Sequence, residues 1–482
     1  MNREIIRFML SRILLGSGLV LLLPLFLSFY YHGPVTAFLI PMALSVVLFF
    51  LLRARGISPY AGLTPREGTA ITAITWLSVS LLYALPYALS GVLSPLDSIV
   101  ESVSGLTGTG ATVINDITVL PPSLLFFRAM THWLGGLGII VIFVALFPQA
   151  GRGTTKMVNA ESTGPTNSKT LPRIKETARS LFIVYFVFTA ACTAALMLWG
   201  MDFLDALDHA FSTIATGGFS TRNESIAYYH SASLELILVF FMVISSANFG
   251  MYVDTWKRGF HVILEDTEFK VYLAIVAIST VLIAASLALT SHIPLAESLR
   301  ESLFQCASIS STTGFVSADF DRWPAFAKLM ILLIMIAGGC GGSTAGGLKV
   351  IRLILLFKSF SAILKLHMHP KAVFHITVGR ERFSQNTVFQ VLAFFFIYMA
   401  LSALWAACFM ADGVAFMDAL GVAFSTMSNT GPAFGQFGAT CTYAALPDFS
   451  KVIACLSMLF GRLESVPLLS IFIPSFWRRS GW

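Results

Sequence analysis

The sequence predicts an all-α integral membrane protein in which four pseudo-symmetric repeats surround one central pore, with two additional helices at the N-terminus. Three observations support this fold. Only 12% of the 482 residues are charged and 56% are hydrophobic, whereas a soluble domain carries about 25% charged residues. Apolar segments long enough to cross a bilayer recur along the chain. One short motif also occurs four times.

The apolar segments define the helices, because a membrane helix needs about 20 consecutive, mostly apolar residues. The main segments lie at residues 9–31, 34–52, 71–93, 124–148, 180–200, 234–253, 270–290, 387–410 and 452–473. A shorter one at 327–337 ends in a cluster of glycines. The first two are the additional N-terminal helices, and the others are shared among the four repeats.

The net charge is +6. The distribution of the basic residues along the chain indicates a membrane topology, because lysine and arginine concentrate at the cytoplasmic ends of membrane helices. When the N-terminus is placed inside, most of the 31 basic residues fall on the inner side. They include Arg3, Arg7, Arg12, Arg53, Arg55, Arg66, Arg152, Lys156, Lys169, Arg173, Lys175, Lys358, Lys365, Lys371, Arg380, Arg382, Arg478 and Arg479. We therefore expect a multi-pass protein in contact with lipid, with both termini in the cytoplasm and no nucleic-acid partner.

A fifteen-residue motif recurs on the predicted outer side, at residues 97–111, 205–219, 301–315 and 418–432. Each copy begins with an acid and reaches a glycine thirteen residues later. The acids are Asp97, Asp205, Glu301 and Asp418, and the glycines are Gly110, Gly218, Gly314 and Gly431. Such regularity indicates one structural unit used four times. We therefore divide the chain into N-terminal helices at 1–58 and repeats at 59–150, 151–260, 261–370 and 371–482.

Each motif predicts a re-entrant element. About ten residues form a helix too short to cross the bilayer, with the acid in its first turn, at the positive end of the helix dipole. The non-helical stretch that follows persists at membrane depth only if it lines an aqueous cavity or is buried in protein. A single copy would be more typical of an ordinary external loop. Four copies with one spacing, each between membrane spans, favour a shared pore element.

The triplets that end in these glycines are the candidate ion ligands. They are Gly108-Thr109-Gly110, Thr216-Gly217-Gly218, Thr312-Thr313-Gly314 and Asn429-Thr430-Gly431. Rings of backbone carbonyls replace the water shell of potassium in selective filters, and glycine allows conformations that turn successive carbonyls inward. The sequence therefore predicts a cation pore whose ion site consists of backbone oxygens.

Other chemistry has little support. His132, His209, His367 and His369 lack partners at metal-binding spacing, and we interpret them as hydrogen-bonded or exposed side chains. The six cysteines form no CxxC pair and lie mostly in apolar segments, as is typical of single buried thiols. No catalytic motif supports an enzyme, and no cofactor is expected.

These features resemble the Trk/Ktr/HKT family of potassium transporters. The resemblance rests on the fourfold unit, the four triplets and the stretch GGCGGSTAGG at 338–347, and it covers almost the whole chain. In that family, glycine at all four final triplet positions accompanies potassium selectivity, which implies transport of potassium and also of rubidium. Gly108 in the first triplet, and Asn429 followed by Pro432 in the fourth, are minor departures from the pattern.

Two further features acquire roles from the resemblance. The glycine-rich stretch cannot hold a stable helix, and by itself it also fits a passive bend. The family likeness implies an intramembrane gating loop formed by Gly338, Gly339, Gly341, Gly342, Ser343, Thr344, Gly346 and Gly347. Arg462 is costly inside a membrane segment. It fits either a structural salt bridge or, by resemblance, an electrostatic barrier in the ion path below the filter.

The resemblance also implies an assembly and a location. It implies a homodimer in the bacterial cytoplasmic (inner) membrane, regulated by a cytosolic TrkA-like ring that binds nucleotides. A secondary carrier that couples potassium to protons or sodium stays open as an alternative. Such carriers typically contain inverted repeats, however, whereas these four repeats run in the same direction.

Overall fold

The structure is a computed structural model that describes residues 3–53, 64–138, 171–369, 375–379, 381–464 and 466–477. Nearly all regular structure in these segments is helical. Among the described residues, six helices are long and apolar enough to cross a membrane, and a seventh candidate is a pair of helices joined at an 86° bend. The predicted helical membrane fold is therefore confirmed.

Grouped by the predicted division of the chain, the N-terminal segment contains three helices, the first two of which together form one candidate span, Arg3–Tyr30. The three helices are α1 (Arg3–Val20), α2 (Leu22–Tyr30) and α3 (Val35–Leu52). The first repeat contains α4 (Pro65–Leu89), α5 (Pro95–Thr107) and α6 (Pro122–Gly136). The second contains α7 (Leu171–Leu198), α8 (Phe203–Ile214), α9 (Ala232–Ser245) and α10 (Phe249–Arg258).

The second half of the chain continues in the same way. A short helix, α11 (His261–Glu265), leads into α12 (Thr267–Thr290), α13 (Leu295–Ser310), α14 (Ala325–Ala337) and α15 (Val350–Met368). The fourth repeat contains α16 (Gln385–Ala411), α17 (Phe416–Ser428), α18 (Asp448–Arg462), α19 (Val466–Phe472) and α20 (Pro474–Trp477). Single 3-10 turns lie in the loops after the triplets, at Ile117–Val119, Ser225–Tyr229, Phe320–Arg322, Gly435–Phe437 and Tyr443–Ala445.

The four short helices α5, α8, α13 and α17 contain 13, 12, 16 and 13 residues. At 1.5 Å per residue even the longest is about 24 Å long, which is less than the ~30 Å hydrocarbon core. Asp97, Asp205 and Asp418 lie in first turns, as predicted. The prediction for Glu301 was wrong, because α13 begins directly after Pro294 and Glu297 occupies its first turn.

The helices that follow the triplets are interrupted more often than the apolar segments predicted. The 234–253 segment breaks after Ser245, and the Asn248 side chain caps a new helix by accepting the Gly250 N–H at 2.8 Å. The 452–473 segment breaks between Arg462 and Val466. The 327–337 segment ends at the glycine cluster, as predicted. Residues 139–148 of the 124–148 segment lie outside the described residues.

A small hairpin modifies the all-helical prediction. Strand β1 (Ile376–Val378) pairs antiparallel with β2 (Glu381–Phe383), and Ile376 lies opposite Phe383. The hairpin connects α15 to α16, and Gly379 at its turn has a φ of 57°. Six residues without strong alternation give too weak a signal to predict a strand pair from sequence.

The cysteines and the basic residues complete the comparison with the sequence. Cys192, Cys306, Cys340 and Cys455 are buried thiols, as predicted, but Cys408 is half-buried and Cys441 is exposed. Several basic residues of the topology argument lie outside the described residues, namely Arg55, Arg152, Lys156, Lys169, Lys371, Arg380, Arg478 and Arg479.

Candidate ion-conduction site

The four triplets share one backbone conformation. Their first residues all have positive φ angles, which are 70° at Gly108, 55° at Thr216, 56° at Thr312 and 56° at Asn429. The final glycines do as well, with 79° at Gly110, 81° at Gly218, 82° at Gly314 and 98° at Gly431. Three of the first residues carry side chains, which disfavour this region. Strain that recurs at one position of each copy indicates that the surrounding structure imposes the conformation.

Each triplet is fastened to its short helix by the same hydrogen bond. The N–H of the middle residue donates to the carbonyl of a serine five residues earlier. The pairs are Thr109 with Ser104 (3.0 Å), Gly217 with Ser212 (2.7 Å), Thr313 with Ser308 (2.9 Å) and Thr430 with Ser425 (2.9 Å). This bond is typical of a helix end closed around a left-handed residue. Sequence reasoning missed these serines, although one recurs six residues before each final glycine.

The final glycines connect the triplets in a closed cycle. A Cβ atom on any of them would overlap the middle carbonyl oxygen of the next triplet. These contacts run from Gly110 to Gly217, from Gly218 to Thr313, from Gly314 to Thr430 and from Gly431 back to Thr109. Only a residue without a side chain fits at such a contact. The twelve predicted triplet residues are thus brought together, with four middle carbonyls at equivalent places.

The loops after the triplets form a second closed cycle through hydrogen bonds. The links are Ile117 N–H to Asn223 Oδ1 (2.8 Å), Ile226 N–H to the Val316 carbonyl (3.1 Å), Gly435 N–H to Asp321 Oδ1 (3.0 Å) and Tyr443 N–H to the Thr112 carbonyl (2.8 Å). Each joins one repeat to the next, and the last joins the fourth to the first. The triplet cycle is therefore backed by a ring of bonded loops.

Two acids in these loops have shifted pKa values. Hydrogen bonds from the Thr118 hydroxyl and the Asn223 amide lower the pKa of Asp116. Burial raises the pKa of Asp321, although the Gly435 N–H opposes the shift. These are the two opposing influences on a carboxyl, since hydrogen bonds favour its charged form and loss of water disfavours it.

An open vestibule leads down to the triplet cycle. Its lining includes the four final glycines together with Thr112, Asn115, Asn223 and Cys441. Backbone and uncharged polar side chains therefore provide much of this lining, which also includes Arg128 and Arg222. Cys441, the exposed cysteine, lies in this lining.

A buried ion pair stabilises the vestibule wall. Arg128 Nε donates to Glu101 Oε1 at 2.8 Å, and the two side chains are 1% and 0% exposed. Glu101 also accepts the Val113 N–H at 3.0 Å, and Arg128 donates to the Ser220 carbonyl at 3.2 Å. The pair thus binds the loop after the first triplet to the loop after the second. Removing one partner of such a pair would leave the other charge buried alone.

The glycine-rich stretch forms a loop directly against the triplets. The Gly346 N–H donates to Thr312 Oγ1 at 2.7 Å. The Thr344 hydroxyl donates to the Ile214 carbonyl at 3.0 Å, at the end of the second short helix. A Cβ on Gly346 would overlap the Ser428 carbonyl. The loop therefore touches the second, third and fourth short helices or their triplets.

The remaining predicted loop residues form the turn itself. Gly338, Gly342 and Gly347 have φ values of 68°, 74° and 75°. The Ser343 hydroxyl donates to the Cys340 carbonyl at 2.6 Å. A Cβ on Gly339 would lie 3.2 Å from the Ser246 carbonyl oxygen, and one on Gly341 would lie 3.7 Å from Glu268 Oε1.

The loop is also anchored to neighbouring helices. At the break between α9 and α10, Cys340 N–H donates to the Ser246 carbonyl (2.8 Å) and Phe249 N–H to the Gly342 carbonyl (3.1 Å). Glu268 Oε1, in the first turn of α12, accepts the N–H groups of Gly341 (2.6 Å) and Ile351 (2.9 Å). One carboxylate oxygen thus holds both sides of the loop.

Arg462 connects the loop to α6. Its guanidinium donates to the Thr344 carbonyl at 2.9 Å and to the Gly136 carbonyl at 2.8 Å, with a further bond to the Gly135 carbonyl. Its neighbour in sequence, Glu464, instead forms an ion pair with Arg352. Lys349 is buried at the end of the loop, has a φ of 74° and donates to the Ala345 carbonyl. Sequence reasoning identified Arg462 but missed Glu268, Lys349 and Arg352.

Two of the predicted histidines are hydrogen-bonded, as expected. His209 uses both ring nitrogens, which lie 2.7 Å from the Asp205 carbonyl and 2.9 Å from Ser220 Oγ. His132 likewise contacts the Gly105 carbonyl and the Phe219 N–H. The unusual Asn429 uses its amide N–H groups, which donate to Thr109 Oγ1 at 3.0 Å and to the Met458 carbonyl at 2.9 Å, whereas its buried Oδ1 has no hydrogen-bond partner among the described residues.

The fold and the site together define a multi-pass membrane protein whose four short helices carry a closed cycle of backbone triplets. A family profile described as "TrkH: Cation transport protein" matches residues 35–479. The chain belongs to this TrkH family, within the wider group that the sequence resembled.

Individual relatives agree over the full length. The Trk system potassium uptake protein TrkH of Halomonas elongata is 37% identical over 484 residues, covering 99% of this chain and 100% of its own. The protein of the same name from Escherichia coli strain K12 is 35% identical over 483 residues, covering 99% of each chain. The crystal structure of the potassium transporter TrkH from Vibrio parahaemolyticus matches with a TM-score of 0.89 at 32% identity. That match covers 99% of this chain and 100% of the other.

Proposed function

We propose that this chain takes up potassium across the bacterial cytoplasmic membrane and that the four triplets are its selectivity filter. The observation that carries the proposal is the closed cycle of contacts between final glycines and middle carbonyls. A cycle of this kind supplies four backbone oxygens at equivalent places, which is how a filter replaces the hydration shell of potassium. The names of the full-length relatives support potassium as the ion.

The same proposal assigns the loop at 338–347 to gating. The loop lies against three of the four short helices or their triplets, through the Gly346, Thr344 and Ser428 contacts given above. An ion leaving the triplets toward the cytoplasm meets this loop. Its neutral hydrogen bonds contribute about 1 kcal/mol each and those to Glu268 and Arg462 about 1.5–3 kcal/mol each, so the loop moves only when several of them break together.

Arg462 acts in this gate in two ways. Its bonds to the Thr344 carbonyl and to the end of α6 hold the loop in place. Its guanidinium stays charged at any physiological pH and repels a passing cation. At ~8 Å and an effective dielectric of ~20 that repulsion is about 2 kcal/mol.

The proposal extends to the assembly. We propose a homodimer that is regulated by a cytosolic TrkA-like partner binding nucleotides, with both termini of this chain in the cytoplasm. The side on which the lysines and arginines concentrate supports this orientation. The membrane-facing helices would contact lipid, and no further cofactor is required for conduction.

Rubidium uptake tests the function. Purified protein in liposomes should take up rubidium at a rate that potassium competes away and that an equal concentration of sodium leaves nearly unchanged. Protein-free liposomes provide the background. Uptake suppressed equally by sodium and potassium would contradict a potassium-selective filter.

The carrier alternative needs a different comparison. If uptake is channel-like, imposing a proton or sodium gradient at constant membrane potential leaves the rubidium rate unchanged. If the chain is a coupled carrier, an inward proton or sodium gradient at the same membrane potential makes rubidium accumulate against its own gradient. The second result would replace the channel-like mechanism.

A further inference from the structure

The second triplet differs from the other three in what lies behind it. In the first, third and fourth triplets the middle residue is threonine. Each threonine hydroxyl pairs with a hydroxyl two residues earlier, Thr109 with Thr107 (2.7 Å), Thr313 with Ser311 (2.7 Å) and Thr430 with Ser428 (2.8 Å). In the second triplet the corresponding residues are Gly217 and Ala215. Neither carries a hydroxyl, so this triplet lacks the internal brace of the others.

The imidazole of His132 occupies this place. A Cβ atom on Gly217 would have His132 ring atoms as its three nearest neighbours, with Nδ1 at 2.6 Å. The ring comes from α6 in the preceding repeat, is fully buried and packs against Phe219 with 4.0 Å between ring centres and 35° between the ring planes. Since packed interiors leave little void, the ring and the missing side chain are alternative ways to fill one space.

Both nitrogens of the ring are committed. A backbone N–H can only donate, so His132 Nε2 accepts the Phe219 N–H at 3.2 Å. The proton therefore lies on Nδ1, which donates to the Gly105 carbonyl at 2.7 Å. The neutral ring thus ties the first short helix to the residue that directly follows the second triplet. The Gly217 carbonyl, in contact with Gly110, lies two residues before the Phe219 attachment in the chain.

The geometry points to His132 as the positioning residue that holds the Gly217 carbonyl in the filter and thereby contributes to selectivity among alkali cations. The inference rests on the proposed filter function. In this inference the His132 side chain, from the neighbouring repeat, braces the second triplet as the hydroxyl pairs brace the other three.

The test measures rubidium uptake into liposomes with and without competing sodium, together with thermal stability. His132→Ala should lower the preference for rubidium over sodium about tenfold, in the range that loss of an outer-shell partner costs an ion site. His132→Gln retains one donor and one acceptor on the side chain. It should stay within about threefold of the wild-type preference.

A swap variant provides the sharper comparison. Gly217→Thr gives the second triplet the residue of the other three, and alone it should lose selectivity because its side chain overlaps the ring. His132→Ala combined with Gly217→Thr and Ala215→Ser removes that overlap and supplies the hydroxyl pair that the second triplet lacks, so it should recover most of the preference lost in either single variant. Such coupling is expected only for side chains in contact.

Several results would overturn the inference. They are an unchanged preference in His132→Ala, equal losses in the Ala and Gln variants, or a combined variant with Gly217→Thr and Ala215→Ser that is no better than the single ones. Gly110→Ser is measured alongside to separate the two proposals. If Gly110→Ser loses selectivity and His132→Ala does not, only the role of His132 fails. If neither variant changes the preference for rubidium over sodium, both the role of His132 and the proposed filter are wrong.

Discussion

At the scale of single residues, Gly110 meets two constraints at once. Its φ of 79° is unfavourable for any residue with a side chain, at a cost of about 1–2 kcal/mol. A Cβ there would also overlap the Gly217 carbonyl oxygen. Gly91 has nearly the same φ, 74°, but lies in a turn with no atom within 4 Å of the Cβ position. Substitutions at these two glycines therefore distinguish the effect of backbone strain, which both share, from the effect of contact with the neighbouring triplet, which only Gly110 has.

The first prediction uses this pair. Gly110→Ser should weaken discrimination against sodium by at least about tenfold, because the new side chain displaces one oxygen of the cycle. Gly91→Ser should lower stability by a similar ~1 kcal/mol without changing selectivity. Rubidium uptake with competing sodium, and thermal unfolding, are measured on both. Unchanged selectivity in a folded Gly110→Ser protein would contradict the filter assignment.

The second prediction concerns Arg462. Arg462→Ala removes both the charge and the bonds to Thr344, Gly135 and Gly136, so rubidium uptake should rise. The electrostatic part alone, about 2 kcal/mol, corresponds to a factor of up to roughly 30 in rate. Arg462→Lys keeps the charge but cannot reproduce the guanidinium geometry. Arg462→Lys therefore distinguishes the repulsion of a passing cation from the hydrogen bonds that hold the loop in place.

The outcomes for Arg462 are distinct. If rubidium uptake rises in Arg462→Ala but not in Arg462→Lys, the positive charge sets the barrier to the ion. If rubidium uptake rises to a similar extent in both variants, the hydrogen bonds from Arg462 to the loop set the barrier. If Arg462→Ala loses stability without gaining flux, the side chain serves the packing of the helices, and its place in the gate is wrong.

At the scale of helices and loops, α6 contacts three levels of the site along one face. Arg128 binds the vestibule loops, His132 packs behind Gly217, and the Gly136 carbonyl accepts a bond from Arg462. Residues four apart lie on one face of a helix. A single rigid element thus connects the outer mouth, the triplets and the loop.

The third prediction tests the loop through its anchor on α12. Glu268→Ala removes the acceptor of the Gly341 and Ile351 N–H groups. Hydrogen bonds to charged groups contribute about 1.5–3 kcal/mol each, so the loop should leave its place more often and rubidium uptake should rise several-fold.

A conservative variant controls this experiment. Glu268→Gln keeps an acceptor oxygen and should raise uptake less than Glu268→Ala. Deleting several residues of 338–347 should act in the same direction as Glu268→Ala. Wild-type or lower uptake in folded Glu268→Ala and deletion variants would leave the loop as a passive bend.

At the scale of the whole molecule, two closed cycles hold the repeats together, one of triplets and one of the loops that follow them. Each includes a link from the fourth repeat back to the first, which contacts residues more than 300 positions away in sequence. A change in one triplet therefore reaches its neighbours directly.

The fourth prediction tests the vestibule and its orientation. All six cysteines lie in described segments, and Cys441 alone is exposed. A positively charged thiol reagent added to intact cells should therefore inhibit rubidium uptake by attaching a cation to the vestibule lining. Cys441→Ser should be insensitive, whereas Cys408→Ser should remain sensitive. Inhibition seen only from the cytoplasmic side would reverse the assigned topology.

Much of the architecture was predictable because it depends on local pattern. Apolar length marks the spans, and one acid-to-glycine spacing marks all four re-entrant elements. Three of the four first-turn acids follow from the helix dipole. Glu301 is the exception, because a proline upstream set the start of its helix.

The amino-acid sequence by itself determined the membrane class, the number of short-helix and triplet units and the twelve triplet residues. Only the tertiary structure decided what surrounds them. His132, Glu268 and the Glu101–Arg128 pair act on residues that are distant in the chain, and no spacing rule connects such partners. Their positions depend on how the helices pack, since a contact between repeats is fixed by three-dimensional closure of the cycle and leaves no periodic signal in the chain.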